Sequence, residues 1–178
     1  KSMVVATTMH SSDDEVLVAL STETGEKKIG GEDGFRKFWI VQICLWKLKS
    51  DFFVIPFLNK NNPKEYQQLK NILNSSHFLF VPTEAECYGI VFSEASAYGL
   101  PSISTATGGV RSVVKDNVNG FALPLKATPE DYVNSIEPFL VDKEKFKNLS
   151  INSRKRYEEA LNWNVWQAKI KIIIEDLF

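Results

Sequence analysis

The order of elements written into this chain predicts an α/β fold, a Rossmann-like parallel sheet with helices on both faces. Three observations carry that expectation. Short β-branched runs alternate with helical segments from residue 16 onward. The helix starts carry capping signals ahead of amphipathic periods. Several strand candidates, such as Val16–Leu20 and Phe78–Val81, are short apolar runs, as strands buried on both faces tend to be. Residues 1–15 read as an irregular N-terminal segment, and residues 16–178 as a single domain with C-terminal helices from about residue 143.

The elements follow in order. Val16–Leu20 reads as a buried strand, and a polar, glycine-containing loop runs from it through Gly31. Phe38–Trp46 is too apolar and β-branched for a surface helix and reads as a central strand. Residues 32–37 alone separate it from Gly31, too few for a crossover helix. Phe52–Ile55 is a further strand, stopped by Pro56.

Asn62-Pro63-Lys64-Glu65 supplies an N-cap, a first-turn proline and a capping-box glutamate. Tyr66, Leu69 and Leu73 recur on one face, predicting a helix to about Asn74. Phe78–Val81 is a strand ending at Pro82, and a helix is expected from about Gly89 to Tyr98, closed by Gly99. Ser102–Thr105 is a strand, and Gly108-Gly109 opens a helix carrying Val110, Val113 and Val114. Asn119-Gly120 marks a turn before the strand Phe121–Leu123, and Thr128-Pro129 starts another capped helix. Two helical stretches close the chain, from about Lys143 to Leu161 and from Trp163 to Leu177.

Composition excludes several classes of function. The 178 residues carry 21 basic and 22 acidic side chains, so no bulk field attracts nucleic acid or an anionic membrane. No apolar run reaches the roughly 20 residues of a membrane span, which leaves peripheral contact at most. Cys44 and Cys87 sit among apolar residues and read as buried free thiols, a pattern suited to a reducing cytoplasm. His10 and His77 lack partners at metal-ligand spacing, so no metal is expected.

The chemistry concentrates between Val81 and Pro124. Glu86 lies in the loop beyond one strand, and Glu94 in the first turns of the next helix. Both border a helix N-terminus whose first amides, at about Gly89, Ile90 and Val91, lack intrahelical partners and can bind phosphate. A carboxylate beside such a site suits vicinal hydroxyls of a sugar, because it accepts at both oxygens. A plainer reading stands beside each. Glu94 could merely favour its helix dipole, Glu86 could be a solvated charge, and Gly108-Gly109 could be a tight strand-to-helix entry instead of a phosphate contact.

The spacing goes further than generic physics. Glu86, Tyr88-Gly89, Glu94-Ala95-Ser96-Ala97-Tyr98-Gly99-Leu100-Pro101 and Thr105 through Gly109 together resemble the signature of family 4 (group 1) retaining glycosyltransferases. Asn119-Gly120-Phe121 is similar to that family's Asn-Gly-hydrophobic turn. Ile55 through Asn61 and Ser76 through Leu79 match a bacterial-type subgroup, so the likeness covers about Phe52 to Trp166.

The resemblance implies a GT-B fold, of which this chain would be the C-terminal, donor-binding lobe. It implies that Glu94 binds the ribose and Glu86, the catalytic candidate, contacts the donor hexose. Amides of Tyr88, Gly89, Ile90 and Val91 would hold sugar and diphosphate, with Gly108 and Gly109 as further donor-site candidates. Lys28 (or Lys27), before Gly30-Gly31, is the match to the family's diphosphate lysine. The family's arginine has no counterpart; Glu23 lies in the corresponding loop.

The expected activity is transfer of a hexose from a nucleotide diphosphate sugar to an acceptor, with retained configuration. No cofactor or metal is implied. The implied partner is an N-terminal acceptor-binding lobe absent from this chain. The alternative is a non-catalytic binding or assembly module of the same fold. A third class, an unrelated nucleotide-binding domain such as a methyltransferase, lacks its G-x-G-x-x-G turn.

Overall fold

The structure, a computed structural model, describes residues 58–176 in full and, ahead of them, the strands at residues 3–8, 16–21 and 51–55. Six strands form one sheet in the order β3-β2-β1-β4-β5-β6. They are β1 (Met3–Thr8), β2 (Val16–Ser21), β3 (Asp51–Ile55), β4 (Phe78–Val81), β5 (Ser102–Thr105) and β6 (Gly120–Leu123). The α/β class holds, and this is the strand order of a doubly wound dinucleotide-type sheet.

Two features differ from the sequence reading. Residues 1–15, expected to be irregular, contain β1, whose Met-Val-Val-Ala-Thr-Thr run pairs on both sides within the sheet. The sheet is also not wholly parallel. β1 pairs with β4, β4 with β5 and β5 with β6 in parallel, whereas β2 runs antiparallel to both β1 and β3. Residues 9–15 alone link β1 to β2, enough for a reversal but short of the dozen or so that a parallel crossover needs. Two successive reversals restore direction, so β3 points the same way as β1, β4, β5 and β6. The expected strand at Phe38–Trp46, the 32–37 connection and Cys44 lie outside the described residues.

Strands β4 and β5 are buried on both faces. Phe78 and Phe80 of β4 point into one cluster with Ile103, Tyr132, Val133, Ile136, Phe139 and Leu149. Leu79 and Val81 point into the other, with Leu73, Phe92, Ala95, Leu100, Val110, Val113, Val114 and Ala122. This is the two-residue period of a strand with no wet side, and it explains why Phe-Leu-Phe-Val shows no polar alternation. Each such side chain withdrawn from water contributes about 1.5–3 kcal/mol.

Helices α1 (Pro63–Ser75), α2 (Ile90–Ala97) and the short α3 (Val110–Val113) supply the second cluster. Helices α4 (Pro129–Val141) and α5 (Lys143–Arg156) supply the first. The capping signals act largely as read. Thr128 and Asp131 form a reciprocal capping box on α4. Asn62 accepts from Lys64 N–H at 3.1 Å, while Glu65 reaches back past the cap to Asn59 N–H at 2.7 Å.

The segment expected as one helix from 143 to 161 is α5 followed by a π turn at Tyr157–Leu161. Asn162 ends it, donating to the carbonyls of Tyr157 and Glu158, and caps α6 (Trp163–Glu175). Trp163 and Trp166 do not anchor α6 to the core. They are 72% and 55% exposed and meet each other edge to face at 5.8 Å. Among the described residues, no helix is long and apolar enough to cross a membrane.

Candidate functional site

Strand direction decides where the chemistry collects. Because β3, β4 and β5 point the same way, the segments that follow them leave the sheet at one edge, the C-terminal edge where ligands of such sheets bind. Lys60 follows β3, Glu86 follows β4 and Gly108-Gly109 follow β5.

The loop between β4 and α2 lies directly on the loop after β5. Gly109 N–H donates to Cys87 O at 2.6 Å, and Thr107 Oγ1 donates to Glu84 O at 3.1 Å. A Cβ on Gly108 would stand 1.8 Å from Glu86 O, and one on Gly109 would stand 2.4 Å from Cys87 O. Only glycines allow two backbones to approach so closely. The Gly109 amide is thus engaged in holding the loop that carries Glu86. Of the two readings open for Gly108-Gly109, this contact serves the structural one.

Gly89 is the N-cap of α2 in the left-handed region, at φ 74°, and brings no side-chain oxygen to the first-turn amides. Phe92 N–H turns back to Gly89 O at 3.0 Å. Tyr88 and Ile90 on either side of this glycine are exposed, whereas Gly89 itself is buried, with the Phe92 ring where its Cβ would stand. Glu86 lies against it, since a Cβ on Gly89 would stand 3.4 Å from Glu86 Cγ. Glu94 follows about 6 Å further along the helix axis from Ile90, at 1.5 Å per residue. Val91 is half-buried and Cys87 is exposed, which corrects the expectation that the Cys87 thiol is buried. Lys27 and Lys28, like Glu23, lie outside the described residues.

One participant was missed. Lys60 Nζ meets Glu94 Oε1 at 2.5 Å, with both side chains about half exposed. The only sequence signal was Asn59-Lys60-Asn61 within the resemblance, and nothing in the spacing links residues 60 and 94. The pair has aromatic company. Burial pushes the Tyr98 phenol above its ordinary range, Tyr66 and Glu94 add to the shift, and Lys60 opposes it. Tyr98 therefore sits within electrostatic reach of Tyr66, Glu94 and Lys60.

Two buried hydroxyls bracket the same loop without hydrogen-bond partners, Thr83 Oγ1 at its start and Ser93 Oγ in the first turns of α2. A third, Ser102 Oγ, lies at the opposite end of β5 and has no part in the site. An unpaired buried hydroxyl costs about 1–3 kcal/mol, and fold rules are most often broken at functional sites.

The arrangement is suited to a ligand that combines an anion with hydroxyls, with amides and dipole at the helix entrance, one carboxylate against it and a second further along the helix. The family model for glycosyl transferases group 1 matches residues 36–156, more than half of the chain. An uncharacterised glycosyltransferase of Methanocaldococcus jannaschii is 28% identical over 114 residues, covering 64% of this chain and 32% of the relative. Among solved structures, sucrose-phosphate synthase from Thermosynechococcus elongatus superposes with a TM-score of 0.54 at 27% identity, over 64% of this chain and 28% of that one. Anabaena HepE in complex with UDP-glucose gives a TM-score of 0.52 at 20% identity, over 63% and 30%. The chain thus spans about a third or less of the length of each. Fold, motif and family model converge on one assignment, and the chain belongs to the group 1 glycosyl transferases.

Proposed function

We propose that this chain is the donor-binding lobe of a retaining glycosyltransferase that moves a hexose from a nucleotide diphosphate sugar to an acceptor. The supporting observation is the entrance of α2, where exposed Tyr88 and Ile90 flank a buried N-cap glycine, with Glu86 against that glycine and Glu94 further along the same helix. Glu94 accepts from the ribose hydroxyls, and Glu86 contacts the hexose near the reacting carbon. The free amides of the first turn of α2 take the diphosphate.

As the glycosidic bond loosens, the sugar gains oxocarbenium character and the diphosphate gains negative charge. Preorganised amides and a helix dipole aimed at that charge lower the barrier without reorganising. The acceptor is oriented by a second lobe, outside this chain. HepE, a fold neighbour crystallised with UDP-glucose, makes a uridine diphosphate sugar the first donor to test.

Calorimetric titration with UDP, GDP and ADP tests the reading. We expect one of them to bind, and Glu94→Gln to weaken that ligand by about tenfold through loss of a charged acceptor. Glu86→Gln should reduce transfer more than nucleotide affinity. Failure of all three nucleotides to bind ends the proposal. A second reading, a binding module without catalysis, is favoured by the missing arginine counterpart. It expects nucleotide binding with no transfer that Glu86→Gln can diminish.

A further inference from the structure

We propose that Lys60 is a positioning residue for the nucleotide, holding the Glu94 carboxylate by one oxygen so that the other is left to the ligand's vicinal hydroxyls. The inference rests on the donor-site reading above and adds a residue from a separate element, the turn between β3 and α1.

The first support is the way that turn is built. Asn62 N–H closes it onto Asn59 O at 2.9 Å, and Asn61 N–H onto Asn59 Oδ1 at 2.9 Å. Glu65 of α1 then clamps both ends, accepting from Asn59 N–H at 2.7 Å and from Asn62 Nδ2 at 2.5 Å. Lys60 therefore projects from a backbone pinned before its side chain is ordered. That removes part of the entropy cost which makes most exposed ion pairs worth little.

The second support is where the cation goes. From that pinned turn it reaches across to α2 and meets Oε1 of Glu94, a carboxylate already implicated in ligand binding. A carboxylate offers about four acceptor positions on two oxygens, so a lysine on Oε1 leaves Oε2 for a pair of hydroxyls. Lysine has three donors, and after one is given to Glu94 the other two go to water.

The test is a coupling experiment on the intact protein, read by calorimetry. UDP, GDP and ADP are titrated, and the tightest is compared with its 2′,3′-dideoxy analogue. Lys60→Met should weaken the ribonucleotide by about tenfold while leaving the dideoxy analogue unchanged, because its effect passes through the hydroxyls. In a Glu94→Gln background, Lys60→Met should have no further effect on affinity. Equal losses on both nucleotides, undiminished loss in the Glu94→Gln background, or no loss at all would overturn the role of Lys60. If Glu94→Gln itself binds like wild type, or no nucleotide binds, the donor-site reading fails first and takes this inference with it.

Discussion

Gly108→Ala probes the contact on which the candidate site is built. Gly108 sits at φ 49°, where an L side chain costs about 1–2 kcal/mol against neighbouring backbone. Its new Cβ would lie 1.8 Å from Glu86 O, 3.0 Å from Glu86 C and 3.2 Å from Cys87 O. All three are backbone atoms, so no side chain can swing aside. The two loops must separate, breaking the 2.6 Å bond from Gly109 N–H to Cys87 O. Such overpacking adds about 1–3 kcal/mol. The expected loss is about 2–5 kcal/mol, which in a chain of this size lowers the melting temperature by roughly 5–20 °C. Thermal unfolding followed by far-UV circular dichroism measures it. Sugar transfer should fall in the same variant, since the displaced backbone carries Glu86. A melting temperature within about 2 °C of wild type would refute the close approach of the two loops.

Asn119 should be equally hard to replace. Its side chain is fully buried, accepts from Lys115 N–H at 2.8 Å and donates to Val113 O and Ser96 Oγ. Asn119→Ala strands those partners and should cost about 2–4 kcal/mol in urea denaturation, with an unchanged slope; a cost under about 1 kcal/mol would show that the latch does not hold α2 to α3. Asp131 makes a prediction in pH. Thr128 N–H, and then the Thr128 hydroxyl, hold its carboxyl below the ordinary carboxylate range. A lowered folded-state value contributes stability above the unfolded value and loses it as pH falls through the folded one. The melting gap between wild type and Asp131→Asn should therefore be present at neutral pH and close below about pH 4. A gap of constant size across that range would contradict the assignment.

Much of the described fold was legible because local signals acted alone. The Asn62-Pro63 and Thr128-Pro129 starts define α1 and α4 through bonds within three or four residues, and a sequence displays such bonds directly. The β4 run was readable for a related reason, since burial on both faces leaves no polar alternation to misread. Signals that depend on distant partners were opaque. Met3–Thr8 became a strand only by pairing with both β2 and β4. Cys87 was expected to be a buried small side chain, yet it lies exposed on the loop between Glu86 and Tyr88. Trp163 and Trp166 looked like core anchors, yet they pack on each other in solvent.

Residues alone reveal the order of strands and helices from β4 onward, the two acids and the glycine-led helix entrance between them in the chain. Each of those is a matter of spacing along one continuous stretch. Tertiary structure alone decided that β3 points the same way as β4 despite the reversed β2, and so that Lys60 reaches Glu94. It also decided that Gly108 and Gly109 lie against the backbone of Glu86 and Cys87. The physical reason is common to both: hydrogen bonds and steric fit between segments far apart in the chain depend on strand direction and register. No local pattern of residues encodes those.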